Sequence, residues 1–131
     1  MQKLITHVDD SFEKVVKLIA NNSGRLIIIG LGKSGIIGRK IVATLNSTGT
    51  LSSFIHASDA LHGDLGNIQP DDVVICISKS GNTAEVKALV PFIKNMGKMP
   101  NFCIFTNIVR SIDDRSIMCK KNFSLNVIIF L

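Results

Sequence analysis

The chain has 131 residues, 46% of them hydrophobic, enough to bury the core of one domain and too few for two. Its formal charge is +5, and it contains neither Trp nor Tyr. The seven basic residues from Val86 onward (Lys87, Lys94, Lys98, Arg110, Arg115, Lys120 and Lys121) are scattered rather than clustered with aromatics, which excludes a nucleic-acid stripe as the expectation and leaves a solvated surface compatible with an anionic ligand.

His7 to Asn21 reads as an amphipathic helix with Val8, Phe12, Val15, Val16 and Ile19 on one face, ended by Asn21-Asn22-Ser23-Gly24. Leu26 to Ile29 reads as a buried strand, Gly30 to Gly35 as a glycine-rich turn, and Ile36 to Asn46 as a helix closed near Gly49. Ser53 to Ile55 is the second expected strand. His56 to Gly66 is a polar, irregular connection that holds two of the three histidines. Val73 to Ile77 is the third strand, an unbroken apolar run that fits a position buried on both faces of a parallel sheet. It runs into Ser78-Lys79-Ser80-Gly81-Asn82-Thr83, after which Val86, Leu89, Val90 and Ile93 repeat at helical spacing. Gly97 and Pro100 precede a fourth strand, Phe102 to Phe105. A weaker helical stretch, Ile112 to Cys119, leads to a fifth strand expected at Phe123 to Phe130.

Strict β/α alternation predicts a parallel sheet with helices on both faces. The uncovered end at Val127 to Leu131 predicts burial by another subunit, hence a homo-oligomer, or a truncated domain. Cys76, Cys103 and Cys119 lack CxxC spacing and fit a reducing compartment. With no signal peptide pattern and no run of membrane-spanning length, a soluble, cytoplasmic protein without a membrane partner is expected.

Two motifs carry chemistry. Gly30 to Gly35 matches GxGxxG, but Phe54, Ile55 and His56 stand where a dinucleotide site needs an acidic residue for the ribose. Gly32-Lys33-Ser34 suggests a Walker A loop, but Ile27 occupies the position of its first glycine. What survives is a glycine-rich turn after strand one and a Ser/Thr-rich turn after strand three. In the common order 2-1-3-4-5 these turns face one crevice, to which Lys33 and Lys79 add positive charge. Unpaired helix-start amides and hydroxyl donors there suit a phosphate monoester. The plainer alternative is a pair of ordinary turns, with Ser80 or Thr83 capping the helix. His56, His62, Asp64 and Glu85 lie across these loops and are capable of acid–base work.

Taken together, Gly32-Lys33-Ser34-Gly35, Ser47-Thr48-Gly49-Thr50, His62-Gly63-Asp64-Leu65-Gly66 and Ser78-Lys79-Ser80-Gly81-Asn82-Thr83 resemble the sugar isomerase (SIS) domain family, and within it the arabinose-5-phosphate isomerases. The resemblance runs from about Asp10 to Met99. It implies a three-layer α/β/α sandwich with a five-stranded parallel sheet of flavodoxin-like order, and interconversion of D-ribulose 5-phosphate and D-arabinose 5-phosphate for lipopolysaccharide synthesis. By position it implies Lys33, Glu85 and His62 in catalysis. Ser34, Gly49, Thr50, His56, His62, Ser78, Ser80, Gly81 and Thr83 would bind substrate. No cofactor is required, although His56 matches a position where zinc binds in relatives. Isomerisation moves a proton between C1 and C2 through a cis-enediolate, a task for a carboxylate with Lys33 offsetting the developing charge. The family pattern has Asn at the position of Lys79 and Pro near Leu51. It also has an Ile-Thr-Gly-type end to strand four, a second catalytic glutamate past strand five, a last helix and often CBS domains. On this pattern the chain is expected to be a single incomplete SIS domain, lacking its final helix and CBS domains. The alternative function is a sugar-phosphate-binding module without turnover.

Overall fold

The computed structural model describes residues 10–80, 83–95, 101–106 and 117–120. Five strands pair in one parallel sheet: β1 (Leu26–Gly30), β2 (Ser52–His56), β3 (Val73–Ile77), β4 (Asn101–Thr106) and β5 (Ile117–Lys120), in the order β2-β1-β3-β4-β5. The helices between them are α1 (Asp10–Ala20), α2 (Gly32–Ser47), α3 (Ala57–Leu61) and α4 (Ala84–Asn95), with a 3-10 turn at Asp64–Asn67. No described helix is long and apolar enough to cross a membrane.

The central strands are apolar at every position because both sheet faces are covered, so alternate side chains enter different cores. Ile27, Ile29, Val74 and Cys76 join Ile55 on one face, against Ala57 and Ala60 of α3, Leu65, Ile68, and Val86, Leu89 and Ile93 of α4. Leu26, Ile28, Val73 and Ile75 point the other way, with Val15, Leu18 and Ile19 of α1 and Ile41, Val42 and Leu45 of α2. Burying side chains of this size is worth about 1.5–3 kcal/mol each relative to exposure, so β1 and β3 are the part of the sheet least able to shift. Cys76 behaves as a small core hydrophobe, and burial pushes its thiol up to about 12.

Hydrogen bonds at the amino-terminal edge fix how the chain enters the strands. Asp72, 2% exposed, receives Arg25 Nε (3.2 Å) and Nη2 (2.7 Å), and the backbone N–H groups of Gln69 (2.8 Å) and Arg25 (3.0 Å). Burial by itself raises the Asp72 carboxyl. The Arg25 and Gln69 hydrogen bonds, together with the Arg25 charge, outweigh it and leave the group below the usual carboxylate range. Gly24 packs against the same lead-in, where a Cβ would clash with the Asp71 carbonyl oxygen. Asn46 brackets the first residue of edge strand β2, accepting from Ser52 N (2.8 Å) and donating to Ser52 O (3.0 Å). Its amide thereby satisfies one residue of an otherwise open edge.

Four expectations are corrected. Val16 is 43% exposed, and the inward face of α1 is Val15, Leu18 and Ile19. Helix α2 starts at Gly32, so most of the glycine-rich segment is helical; Gly35 is buried against the Gly30 backbone and Phe54, and Gly38 against Phe54 and Ile28. The connection after His56 holds α3 and a 3-10 turn, since Ala57, Ala60, Leu65 and Ile68 supply enough apolar contact to order it. Finally, Ile117 to Cys119 are strand, in register with Cys103 to Phe105 of β4, because sheet pairing overrides a weak helical pattern. The strand expected at Phe123 to Phe130 lies outside the described residues.

Candidate functional site

The carboxyl-terminal edge of β2, β1 and β3 is where the chemistry-bearing residues gather. In register, Gly30 stands between His56 and Ile77, so the segments leaving these strands are neighbours. Between β1 and β3 the strand order reverses: the chain passes from β1 outward to β2, then returns to the far side of β1. Helices leave such a point on opposite faces and open a crevice between them.

Each wall of that crevice is the start of a helix. Helix α2 begins after Leu31 with no side-chain cap and no acidic residue in its first turn, and Lys33 lies there, exposed. A lysine at the positive end of a helix dipole is locally unfavourable, and an anion would relieve it. Ser34 is half-buried beside it. On the other wall, Ser78 is buried at 5% exposure just past β3, Lys79 is exposed and Ser80 half-buried. Thr83 stands at the head of α4, where its carbonyl accepts the Lys87 N–H at 3.0 Å. Its hydroxyl does not cap the helix: Thr83 Oγ1 is buried and has no hydrogen-bond partner among the described residues. Orphaned buried hydroxyls are rare, and one at a helix start is a donor that a bound anion would satisfy. Glu85 is half-buried in the first turn of α4. Gly81 lies outside the described residues.

His56 ends β2 on this edge and caps α3, its Nδ1 accepting the Ser58 N–H at 3.4 Å. Among the described residues no three His, Cys, Asp or Glu side chains converge to hold a metal. His62 follows α3 as its exposed C-cap.

Gly49 and Thr50 are elsewhere. Thr50 N donates to Leu45 O (2.9 Å), and Leu26 N donates to Leu51 O (2.9 Å), which places this turn at the start of β1. It is therefore a strand length, about 13 Å, from the carboxyl edge. Within one chain the structure brings Lys33, Ser34, His56, Ser78, Ser80, Thr83 and Glu85 to one end of the sheet and puts Gly49 and Thr50 at the other. The orphaned state of Thr83, the Asn46 bracket and the Arg25–Asp72 pair were not legible in the sequence, where Arg25 and Asp72 are 47 residues apart.

Comparison with known proteins identifies this arrangement. The sequence pattern of the SIS domain family matches residues 18–119. The chain belongs to the SIS domain family. Over 97 residues it is 47% identical to arabinose 5-phosphate isomerase KdsD of Pseudomonas aeruginosa, covering 74% of this chain and 30% of that protein. Against arabinose 5-phosphate isomerase KpsF of Escherichia coli it is 52% identical over 98 residues, again 74% of this chain and 30% of the relative. Among solved structures, an Escherichia coli CFT073 protein in complex with arabinose 5-phosphate superposes with a TM-score of 0.80 at 41% identity, covering 92% of this chain and 65% of that one. The chain thus spans about a third of the length of the curated relatives it matches.

Proposed function

We propose that this SIS domain binds a pentose phosphate in the crevice between β1 and β3, and that it serves the interconversion of D-ribulose 5-phosphate and D-arabinose 5-phosphate. The observation that carries the reading is the pair of helix starts on that crevice, one with an exposed lysine and no cap, the other with the orphaned Thr83 hydroxyl. The sugar is suggested by the names of the relatives and by the arabinose 5-phosphate bound to the structural neighbour. In this reading Ser78, Ser80, Gly81, Thr83 and the α4 amides hold the phosphate, and Ser34 adds a donor from α2. Glu85 moves the proton between C1 and C2, Lys33 stabilises the enediolate, and His62 and His56 contact the sugar. Gly49 and Thr50, at the opposite end of the sheet, take part only if a second subunit presents them, which favours a homo-oligomer. Helices on both sheet faces support a three-layer α/β/α sandwich, and the proposed substrate supports a cytoplasmic role in lipopolysaccharide precursor supply.

Calorimetry with arabinose 5-phosphate, ribulose 5-phosphate and glucosamine 6-phosphate tests binding. Exchange of the C2 hydrogen of arabinose 5-phosphate in D₂O, compared with Glu85→Gln, tests the chemistry. Exchange that disappears in the variant is the expected result. Binding without exchange in the parent chain would leave the non-catalytic module in its place, and no heat with any sugar phosphate would overturn the site.

A further inference from the structure

Arg25 does more than neutralise Asp72. Its Nη2 reaches past the carboxylate to the carbonyl of Asn67, at 2.6 Å, and Asn67 is the last residue of the 3-10 turn that follows His62. Asp72 is already supplied by two backbone amides, and a shorter cation could satisfy its charge. What the fork of a guanidinium adds is a second direction of donation, toward Asn67.

The segment it grips is a strap that crosses from the carboxyl edge at His56 to the amino edge at Asp72. Its ends are anchored, by Ala57 and Ala60 in α3 and by Leu65 and Ile68 in the core. Its middle, His62-Gly63-Asp64, is exposed. Gly63 sits at φ +133°, a conformation that L side chains rarely adopt, so the bend there belongs to glycine and its direction must be held by the flanks. One flank is held by the His56 cap on Ser58, the other by Arg25 on Asn67. We infer that Arg25 is a positioning residue: by fixing the Asn67 carbonyl it sets where the strap presents His62 to a ligand at the carboxyl edge. The ligand half of this statement rests on the site proposed above, while the strap half stands on its own.

The test has two arms. In the first, amide hydrogen exchange is followed in peptides covering residues 62–68 for the parent chain, Arg25→Gln and Arg25→Lys; the lysine variant keeps the charge on Asp72 without the fork. Arg25→Lys is expected to raise exchange there about tenfold, the equivalent of one charge-assisted hydrogen bond, while residues 26–29 of β1 stay protected. Arg25→Gln also strips the buried Asp72 carboxylate of its ion pair and is expected to raise exchange across the fold as well. Unchanged exchange at 62–68 in Arg25→Lys, or a rise in that variant spread evenly over the fold, overturns the inference. In the second arm, affinities for arabinose 5-phosphate and for inorganic phosphate are measured for Arg25→Lys, His62→Ala and the double variant. The expected result is a weaker sugar phosphate in Arg25→Lys, unaltered inorganic phosphate, and no further loss when the substitution is added to His62→Ala. Equal losses with and without His62 would show that Arg25 does not act through it. Should the parent chain bind neither ligand, the proposed site fails and the exchange arm still decides the strap.

Discussion

Replacing Thr83 by valine should move stability and ligand affinity in opposite directions. The substitution keeps the β-branched shape and exchanges the hydroxyl for a methyl group at an atom that is buried and unpartnered. A buried hydroxyl without a partner costs about 1–3 kcal/mol, and since Thr83 Oγ1 does not cap α4, valine forfeits no cap. Unfolding should therefore become harder by about 1–2 kcal/mol; with a urea dependence of about 2 kcal/mol per molar, the midpoint rises by about 0.5–1 M. Binding should change the other way. Losing one charge-assisted hydrogen bond to phosphate removes about 1.5–3 kcal/mol, or about 10- to 100-fold in affinity. Urea titration followed by circular dichroism and calorimetry with arabinose 5-phosphate read the two effects on one preparation. A lowered midpoint would mean that the hydroxyl is partnered in solution, and the anion argument built on it would fall. An unchanged affinity would remove Thr83 from the phosphate contacts.

Three other outcomes follow from the packing. Asp72→Asn should destabilise the fold by about 3 kcal/mol, the low end for breaking a buried ion pair because Arg25 keeps 31% of its side-chain surface exposed. It should also flatten the acid limb of the stability curve. Asp72 titrates lower folded than unfolded, so its contribution is complete above the unfolded carboxyl value of about 3.9 and fades as pH falls through the lower, folded one. An acid limb identical to that of the parent chain in urea titrations from pH 6 to pH 2 would refute the assignment. Gly24→Ala should cost about 3 kcal/mol or more, because the new Cβ meets the Asp71 carbonyl, which is backbone and cannot swing aside. A melting temperature within a degree or two of the parent's would contradict this. Cys76, its thiol pushed up to about 12 by burial, should resist iodoacetamide at pH 8 in the native state and react only with unfolding, as mapped by mass spectrometry.

Much of the frame could be read from pattern alone, for a reason that is itself structural. Leu26 to Ile29 and Val73 to Ile77 are apolar at every position because both sheet faces are covered, and such runs bounded by turns have few other interpretations. Glycine and hydroxyl residues directly after them mark helix starts, so the two walls of the crevice were visible as Lys33-Ser34 and Ser78 to Thr83. Local rules fail where a long-range partner outvotes them. Ile117 to Cys119 became strand because β4 offered a ladder, and Val16 turned outward because the sheet accepts only one stripe of α1. The site was legible only as an inventory. That Gly49 and Thr50 lie at the far end of the sheet follows from the direction in which α2 returns, which motif spacing does not carry. The missing cap at Thr83, the acceptor state of His56 Nδ1 and the reach of Arg25 to Asn67 depend on angles and distances across up to 42 residues of chain. The sequence by itself therefore determined which groups could meet an anion. The tertiary structure decided which of them share an edge, because hydrogen bonds and dipoles act over a few ångströms of space and not over intervals of sequence.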